Sequence, residues 1–373
     1  MKILQISNDF FGSKVHANLF KELSKQGIGQ TIYCPVRSAE QVGGNNFDAK
    51  ETTVIYDYII KPYHRYVYHI KRSVIFCSLQ KKVDLQEIDL VHAATLFSDG
   101  GQAYKIYKKY HIPYVVAVRN TDINGFLDLL PNTWPAGKKI LRNAKMIFFI
   151  SKALMDKFSN HRAIKPVLSE IKVKMMLIPN GVDDYFLDHL YYESHTGHRV
   201  LYVGDFSNNK NVVRLGKSIF ELRKEDAFKD VTLTLVGGGK NSNDEVQTMI
   251  DNHPEVFSYL GPIYDKKLLC DIFKTHAVFA MPSIHETFGL VYIEALSQNL
   301  PIVYTKGQGV DGLFDDTVGI GVNPISVEEI KEAIRNILKA PYLYSNRSID
   351  FEQFRWNGIA EKYISLYKQV INQ

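Results

Sequence analysis

Short apolar runs alternate with longer segments of helical spacing along the first half of the chain. The segment VHANLFKELSKQG, for example, has apolar residues at Val15, Leu19, Phe20 and Leu23, which fall on one face of a helix. Strands that alternate with helices in this way predict a parallel sheet covered by helices. The runs expected to form its strands are KILQIS, TIYCPV, DLVHAA, YVVAVR, KMIFFIS and MMLIPN.

The alternation stops at a polar, turn-rich stretch near residues 192–198 and then begins again. A second set of strands is expected at RVLYVGD, VTLTLVGGG, VFSYLG, AVFAMPS, PIVYT and IGVNP. The repeated pattern predicts an α/β protein with two Rossmann-like domains, at residues 1–190 and 191–355. The last segment, residues 356–373, is expected to be a helix whose apolar face needs a surface to cover.

The composition is that of a globular protein in a reducing compartment. With 373 residues, 45% of them hydrophobic, the chain is long enough for two domains with sizeable cores. Its cysteines, Cys34, Cys77 and Cys270, are odd in number and lack metal-like spacing, which argues against a disulfide framework or a zinc site. The opening MKILQIS resembles a buried strand rather than a signal peptide, and no apolar run reaches the roughly 18–20 residues of a membrane span. A cytoplasmic protein is therefore expected.

Positive charge is concentrated in the first half of the chain. Residues 1–190 hold 26 Lys and Arg against 17 Asp and Glu, whereas the remainder has a net negative charge. Residues 61–82 carry no acid and interleave cations with aromatic residues, as do segments that bind an anionic membrane surface. A solvated amphipathic helix with its aromatic residues in the core fits equally well, and nucleic acid is not expected, because no recognition motif accompanies the charge. The cations of this predicted acceptor or membrane surface are Lys61, Arg65, Lys71, Arg72, Lys81 and Lys82.

Two glutamates, Glu286 and Glu294, interrupt the otherwise core-like segment HETFGLVYIEAL. A helix is expected from near Phe288 to Gln298, so their offset corresponds to roughly 12 Å of helix rise. Carboxylates this far apart cannot share a proton, but they can hold two ends of one extended ligand. Between them lies a glycine-containing helix N-terminus, whose amides are a ready anion site. This order of groups suits a nucleotide sugar: each carboxylate can accept from a hydroxyl at one end of the ligand, and the amides between them can bind its diphosphate. The amides expected to bind the diphosphate are those of Phe288, Gly289 and Leu290.

These residues resemble the retaining glycosyltransferases of family 4. The resemblance rests on the spacing of Glu286 and Glu294, preceded by Pro282-Ser283 and followed by Pro301. It implies the GT-B fold, with two Rossmann-like domains whose parallel sheets face each other across a cleft. The first domain would lie on the acceptor side, the second would bind the nucleotide sugar, and the closing helix would cross back to the first. Supporting motifs are IPNGVDDYF (178–186), LYVGDFSNNKN (201–211), LTLVGGG (233–239) and YLGPIYDKKLLCDIFKTHAVFAMPS (259–283).

The resemblance implies roles for three charged residues of the second half. Glu294 would take the ribose hydroxyls of the donor, and Glu286 would contact the transferred sugar near its reacting face. Lys210 matches the lysine that neutralises the donor phosphates as the glycosidic bond breaks, a role that suits an anionic leaving group.

The resemblance also implies donor contacts made by the backbone. Gly12, in the loop DFFGSK after the first strand, matches a glycine whose backbone approaches the diphosphate. Ile263 would present its backbone to the base, with Gly237 nearby. No metal is expected, because the GT-B fold ordinarily needs none, and no cofactor is expected beside the donor itself.

The sequence departs from the family at two positions. The residue after Gly204 is Asp205, where the family usually has a phosphate-binding arginine, and Lys14 or Arg119 could replace that cation by reaching across the cleft. The loop after YVVAVR lacks the histidine that the family often carries. Arg119 and Asp122 of this loop are expected to face the sugar and the incoming hydroxyl, with Asp122 as the main polar contact.

The function implied by the resemblance is transfer of a hexose, with retention, from a nucleoside diphosphate sugar. A UDP-linked donor and a glycan or lipid-linked glycan acceptor are favoured, as in bacterial surface polysaccharide assembly at the inner face of the membrane. A nucleotide-sugar epimerase on the same fold stays an alternative. So does a catalytically impaired accessory subunit of a partner glycosyltransferase, which Asp205 supports. A nicotinamide dehydrogenase is disfavoured, because neither domain has the complete glycine fingerprint.

Overall fold

The structure is a computed structural model that describes residues 1–65, 67–239 and 243–372, and Arg65 by its backbone alone. The chain forms two compact units. Unit 1 consists of Met1–Ile150, Leu154–Gly181 and the chain from Trp356 onward, and unit 2 of Ser151–Ala153 and Val182–Arg355. None of the described helices combines the length and apolar character that crossing a membrane requires.

Unit 1 is built on a seven-stranded, wholly parallel sheet. Its elements are β1 (Lys2–Ile6), α1 (Lys14–Lys25), β2 (Gly29–Val36), β3 (Thr52–Tyr58), α2 (Tyr68–Lys82), β4 (Leu90–Ala93), α3 (Gly100–Tyr110), β5 (Tyr114–Ala117), α4 (Trp134–Asn143), β6 (Met146–Phe149), α5 (Lys152–Asn160), α6 (Leu168–Ile171) and β7 (Met175–Leu177). The strand order is β3-β2-β1-β4-β5-β6-β7. Because the order reverses between β1 and β4, the loops that follow these two strands meet at the carboxyl edge, where α/β sheets bind ligands.

Unit 2 is a second doubly wound parallel sheet, of six strands. Its elements are α7 (Asp184–Asp188), β8 (Arg199–Gly204), α8 (Val212–Arg223), β9 (Thr232–Gly237), α9 (Asp244–Asn252), β10 (Phe257–Tyr259), α10 (Lys266–Lys274), β11 (Val278–Ala280), α11 (Leu290–Ser297), β12 (Ile302–Thr305), β13 (Gly319–Val322) and α12 (Val327–Lys339). The strand order, β10-β9-β8-β11-β12-β13, reverses between β8 and β11. This is the dinucleotide-fold order, so the α/β class with two Rossmann-like sheets is confirmed.

Every apolar run predicted to be a strand forms one, but the hydrophobic pattern did not predict β3. Its residues TTVIYDY favour a strand by composition. Because β3 lies at the edge of the sheet, only Asp57 of the strand is fully buried. The run therefore lacks the continuous apolar character of a central parallel strand.

The chain enters and leaves unit 2 side by side. Val182 N donates to Phe354 O at 3.0 Å, and Val182 forms a parallel bridge with Arg355. Arg355 also pairs with Asp188 of α7 at 2.9 Å. The sequence predicted domains at residues 1–190, 191–355 and 356–373. In the structure the main part of unit 2 already begins at Val182, because these contacts hold the segment after Gly181 in that unit.

The closing helix, α13 (Trp356–Ile371), packs into the hydrophobic core of unit 1. Its first residue lies against Gly181, where an added Cβ would be 2.5 Å from Trp356 Cδ2, so only glycine allows this approach. Tyr367 Oη and His92 Nδ1 are 2.7 Å apart, and both side chains are buried. The helix is therefore an integral part of unit 1.

Candidate active site

The glutamate and the lysine assigned to catalysis come from two loops of unit 2 at the point where its strand order reverses. Lys210 lies in the loop after β8, and Glu286 lies in the loop after β11. Lys210 Nζ is 2.7 Å from Glu286 Oε2, and the side chains are only 19% and 12% exposed. The fold thus joins two residues that are distant in the sequence.

Two asparagines lock these loops together. Asn209 O accepts from Ile284 N at 2.8 Å, while the Asn209 side chain accepts from His285 N at 3.0 Å and donates to His285 O at 2.9 Å. Asn211 adopts the left-handed conformation that asparagine tolerates, with φ of 65°, and its Nδ2 donates to Pro282 O at 2.9 Å. The lysine between the two asparagines is therefore positioned by the fold itself.

Glu286 uses both carboxylate oxygens. Oε1 accepts from Thr287 N at 3.0 Å, and Oε2 accepts from Lys210. Because the pair is largely buried, removing either partner would leave an uncompensated charge, which is costly. The arrangement can exchange partners: an anionic ligand can take the ammonium of Lys210 while a ligand hydroxyl donates to Glu286.

Helix α11, which carries Glu294, begins at Leu290, two residues after Phe288. Gly289 precedes it with φ of 77°, and an added Cβ there would lie 2.5 Å from the Tyr292 ring. Across the described ranges, the N–H groups of Phe288, Gly289 and Leu290 have no hydrogen-bond acceptor. These donors lie at the positive end of a helix dipole, so the residues predicted to bind a diphosphate can do so.

Glu294 lies on α11 and is partly buried. The pKa of its carboxyl is raised to about 7, mainly by burial and also by the Asp183 carboxylate, while the Lys266 ammonium acts in the opposite direction. Lys266 forms an ion pair with Asp183, whose side chain also caps α7 by accepting from Tyr185 N at 3.1 Å. Glu294 therefore carries a proton more readily than an exposed glutamate.

Gly237 is the last residue of β9, and Ile263 lies in the loop after β10. Gly237 has φ of 120°, and an added Cβ would lie 2.0 Å from Gly204 O. Its N–H donates to Gly261 O at 2.9 Å. Gly237 is thus required by the close approach of two strand ends, and Ile263, which is partly buried, follows on the same edge of the sheet.

In unit 1, Gly12 lies in the loop after β1. Its N–H donates to Asp9 O at 3.0 Å, and the next residue, Ser13, caps α1 by accepting from His16 N at 3.3 Å. Gly12 is exposed, and an added Cβ would meet nothing within 4 Å.

Arg119 belongs to a cluster that was not predicted. Its Nη2 is 3.2 Å from His16 Nε2, and its Nε donates to Ala94 O at 3.2 Å. His16 Nδ1 in turn lies 3.0 Å from both Ser7 Oγ and Asp9 Oδ1. His16 is, in the sequence, one polar position of an amphipathic helix, so only the fold reveals that it meets Arg119.

Asp122 is engaged with the backbone of unit 1. Its side chain is 1% exposed, and its carboxylate accepts from the N–H groups of Leu96, Phe97 and Arg119 at 3.0, 3.1 and 2.9 Å. Burial raises the pKa of Asp122 to about 6, although these hydrogen bonds oppose the rise. The structure thus gives this carboxylate a positioning role and lends no support to its expected contact with the sugar.

A second buried carboxyl, Asp99, was also not predicted. It accepts from Asn8 Nδ2 at 3.1 Å and from Thr95 Oγ1 at 2.9 Å. Burial, reinforced by the Asp9 carboxylate, raises its pKa to about 8. Asn8 follows β1 and Asp99 follows β4, so only the strand order, with its reversal between these strands, could have pointed to them.

The basic helix α2 buries one of the cations predicted to form an acceptor or membrane surface. Arg72 Nη2 donates to Gly101 O at 2.9 Å, and the guanidinium carbon lies 5.3 Å from the centre of the Tyr68 ring. Both Arg72 and Tyr68 are buried. The structure therefore corrects the expectation for Arg72, because the guanidinium packs inside unit 1.

The other described cations of this segment differ in exposure and pairing. Lys61 and Lys81 are exposed, whereas Lys71 is partly buried. Lys82 Nζ pairs at 2.5 Å with the buried Asp57. The side chain of Arg65 lies outside the described part of the chain.

Two family models match the chain in succession. The model described as Glycosyltransferase Family 4 matches residues 12–185, and the model described as Glycosyl transferases group 1 matches residues 197–340. The matches together span most of both units. The chain belongs to the family 4 glycosyltransferases.

Curated relatives of this glycosyltransferase have low sequence identity over long alignments. The candidate teichuronic acid biosynthesis glycosyltransferase TuaC of Bacillus subtilis is 24% identical, over 90% of this chain and 88% of that protein. The alpha-monoglucosyldiacylglycerol synthase of Acholeplasma laidlawii is also 24% identical, over 74% and 70% of the two chains.

Solved structures show that this glycosyltransferase has the GT-B fold. Sucrose-phosphate synthase of Thermosynechococcus elongatus aligns with a TM-score of 0.74 at 17% identity, over 100% of this chain and 99% of that one. Anabaena HepE in complex with UDP and glucose aligns with a TM-score of 0.67 at 16% identity, over 99% and 100%. The lipopolysaccharide outer core galactosyltransferase WaaB aligns with a TM-score of 0.69 at 15% identity, over 100% and 98%.

Asp205, which stands where the family usually has an arginine, shapes the loop that carries Lys210. Its Oδ1 accepts from Ser207 N at 2.9 Å, and Tyr202 Oη donates to its backbone oxygen. An aspartate that accepts from the N–H two residues on stabilises a tight turn. In this glycosyltransferase the departure therefore exchanges a cation for a turn-forming carboxylate.

Proposed function

We propose that this protein is a retaining glycosyltransferase that moves a hexose from a nucleoside diphosphate sugar, with UDP as the favoured nucleotide. The observation that carries the proposal is the Lys210–Glu286 pair in unit 2, whose two loops are joined by Asn209. Glu286 lies a few residues before Gly289 and Leu290, whose N–H groups are open in the described part of the chain. An ammonium, a carboxylate and unused N–H donors are the groups that a sugar diphosphate requires.

Each group of this site has a part in holding the donor. The diphosphate takes the ammonium of Lys210 and the N–H groups that open α11. Glu286, released from Lys210, accepts from a hydroxyl of the sugar, and Glu294 accepts from the ribose hydroxyls. Gly12 and the backbone of Ile263 approach the diphosphate and the base.

The reaction exchanges one bond at the anomeric carbon for another on the same face. The bond to the phosphate oxygen breaks as the bond to the acceptor oxygen forms, and the departing phosphate takes the proton of the acceptor hydroxyl. Lys210 and the helix amides stabilise the negative charge that develops on the leaving nucleoside diphosphate, which is the larger part of such catalysis. No metal takes part in this scheme.

The acceptor is proposed to be a glycan or a lipid-linked glycan in the assembly of a bacterial polysaccharide. The names of TuaC, which refers to teichuronic acid, and of WaaB, which refers to lipopolysaccharide, support this class of acceptor. The complex of Anabaena HepE with UDP and glucose supports the class of donor. A lipid-linked acceptor would bring the protein to the cytoplasmic face of the membrane.

The first experiment measures binding and hydrolysis of UDP-, GDP- and ADP-sugars by the native protein and by Glu294→Ala. We expect one nucleotide sugar to bind and to be hydrolysed slowly, and its affinity to fall about tenfold in the variant, because the hydrogen-bond acceptor for the ribose hydroxyls is lost. If no nucleotide sugar binds, the accessory-subunit alternative replaces the proposal. Interconversion of nucleotide sugars without acceptor use would indicate an epimerase.

A second experiment replaces the phosphate-binding cation. Lys210→Gln is expected to lower kcat by about 10²–10³, because the leaving group loses its main cation. The matched control is Lys224→Gln, which removes an exposed lysine paired with Glu221 on the surface of the same unit. Equal rates in the two variants would contradict the role of Lys210. NMR of the product's anomeric proton tests retention, and an unchanged rate in EDTA tests the metal-free scheme.

A further inference from the structure

Three cations of unit 1 line one pocket whose described lining contains no carboxylate. They are Arg37, directly after β2, Lys61, and Lys71 in the first turn of α2. The pocket has a volume of about 240 Å³. Within the described ranges, none of the three side chains forms an ion pair. Asp99, a buried carboxyl with a raised pKa, attracts Lys71 electrostatically. Because the three cations have no ion-pair partners among the described residues, they repel one another, so the pocket favours an anion.

Arg37 and Lys71 also border a second pocket, of about 310 Å³, which includes the loops after β1 and β5. Two carboxylates line it, but both are engaged. Asp9 lies 3.0 Å from His16 Nδ1, and Asp122 accepts from three backbone N–H groups. The two pockets therefore share Arg37 and Lys71, two cations that form no ion pair within the described ranges.

His64 supplies an unused hydrogen-bond donor to this second pocket. Its Nδ1 accepts from Lys61 N at 3.0 Å, which places the proton of the neutral ring on Nε2. Nε2 is buried and has no hydrogen-bond partner among the described residues, and the side chain is 2% exposed. Burial and the charges of Lys71 and Lys61 lower the pKa of His64, so the ring stays a neutral donor. A buried donor without a partner is costly and indicates a place for an acceptor atom.

We propose that Arg37, Lys71 and His64 bind a phosphate group of the acceptor substrate, with Lys61 adding positive charge from the adjoining pocket. Phosphate oxygens would satisfy the Nε2–H of His64 and neutralise the partly buried ammonium of Lys71, forming the strong charge-assisted hydrogen bonds that such groups favour. The shared chemistry is a phosphate ester next to a sugar. It is present in a water-soluble sugar phosphate and in a saccharide joined to a lipid by diphosphate. The identification as acceptor rests on the proposed function, whereas the anion site does not.

The anion site is tested by titrating inorganic pyrophosphate into the full chain by calorimetry. In the Lys210→Gln background, which removes the proposed donor cation, we expect Lys71→Gln and Arg37→Gln each to weaken binding by about tenfold. The control Lys108→Gln removes an exposed cation on α3 of the same unit and should leave binding unchanged. Arg37 is exposed, so its variant tests the site without risk to the core. Binding that is absent, or equally strong in all three variants, would overturn the proposal.

The acceptor is identified by transfer from the donor selected in the first experiment. One arm compares glucose 6-phosphate with glucose, and the other compares a polyprenyl diphosphate saccharide in phosphatidylcholine vesicles with the free saccharide. We expect the phosphorylated member of one pair to have a KM at least about tenfold lower, and Lys71→Gln to remove the difference. Equal use of both members in each pair would refute a phosphate subsite. If the native protein fails to hydrolyse any donor, the proposed transfer fails, while the pyrophosphate titration still decides the anion site.

Discussion

Gly12 and Gly237, both expected near the donor, are glycines for different reasons. At Gly237 the fold excludes a side chain, because a Cβ would collide with Gly204 O and φ lies in the region that favours glycine. At Gly12 an added methyl group has open space, and φ is not positive. Unit 1 therefore tolerates alanine at position 12, so this substitution can test the proposed approach of the diphosphate to the backbone.

We expect Gly12→Ala to weaken donor binding by about tenfold, because the methyl group would occupy space that the diphosphate needs. The thermal midpoint should stay that of the native protein. The matched control is Gly125→Ala, another glycine of unit 1 with open space around the added Cβ and no positive φ. Unchanged donor affinity in Gly12→Ala would remove Gly12 from the site.

The raised pKa of Glu294 makes stability depend on pH. The folded protein holds this proton up to about pH 7, whereas the unfolded chain releases it near the usual value of 4.5. Between these values the folded state binds more protons, so the stabilising contribution is complete below the lower value and is lost as pH rises through the upper one.

Glu294→Gln should remove this dependence, since glutamine stays neutral. We expect chemical denaturation to show the variant gaining stability over the native protein as pH rises from about 4.5 to about 8. Glu245→Gln, at an exposed position on α9, should follow the native protein throughout. A native protein and Glu294→Gln with parallel pH profiles would contradict the assigned pKa.

At the scale of elements, one carboxylate ties two segments of unit 1. Asp122 joins the start of its own turn at Arg119 to the loop after β4, where Leu96 and Phe97 lie. The segment Asp122–Leu127 is a π-helix, a rare form whose widened turn needs such support. The resemblance to the family had suggested that this loop faces the sugar, with Asp122 as the main polar contact.

We expect Asp122→Asn to destabilise unit 1 by about 2–3 kcal/mol, because the amide group of asparagine would face a backbone N–H donor instead of accepting from it. Urea denaturation measures the effect. Asp128→Asn is the control, since Asp128 is 43% exposed and has only a 3.3 Å contact with His161. If Asp122→Asn lost catalysis but no stability, Asp122 would act on the substrate after all.

At the scale of the whole molecule, the chain completes unit 1 only with its last helix. The apolar face of α13 lies in the core formed by the first strands and α1, and Tyr367 reaches the buried His92 of β4. Unit 1 therefore contains both the first strands of the chain and α13, which follows unit 2 in the sequence.

Ending the chain at Arg355 should unfold unit 1 while unit 2 stays folded. The deletion exposes the core that α13 covers, at a cost comparable to the entire stability of a domain. Hydrogen exchange is expected to show lost protection in β1, β2 and β4 and retained protection in β8 and β9. Tyr367→Phe, which removes the hydroxyl that contacts His92 and keeps the aromatic ring, is the mild control. Retained protection in unit 1 of the shortened chain would show that α13 is dispensable.

The sequence by itself determined the two α/β sheets, twelve of their strands and the segments that carry Lys210, Glu286 and Glu294. Hydrophobic periodicity and short motifs are local properties, so they can be read without knowing which elements meet. The local pattern did not predict the edge strand β3, because the burial of its residues depends on the single neighbouring strand, β2.

Only the tertiary structure decided which side chains meet. The reversal of strand order brings Lys210 to Glu286 in unit 2, and Asn8 to Asp99 in unit 1. Packing of α2 turned Arg72 inward. These placements depend on contacts between residues far apart in the chain, which no spacing within a single segment encodes.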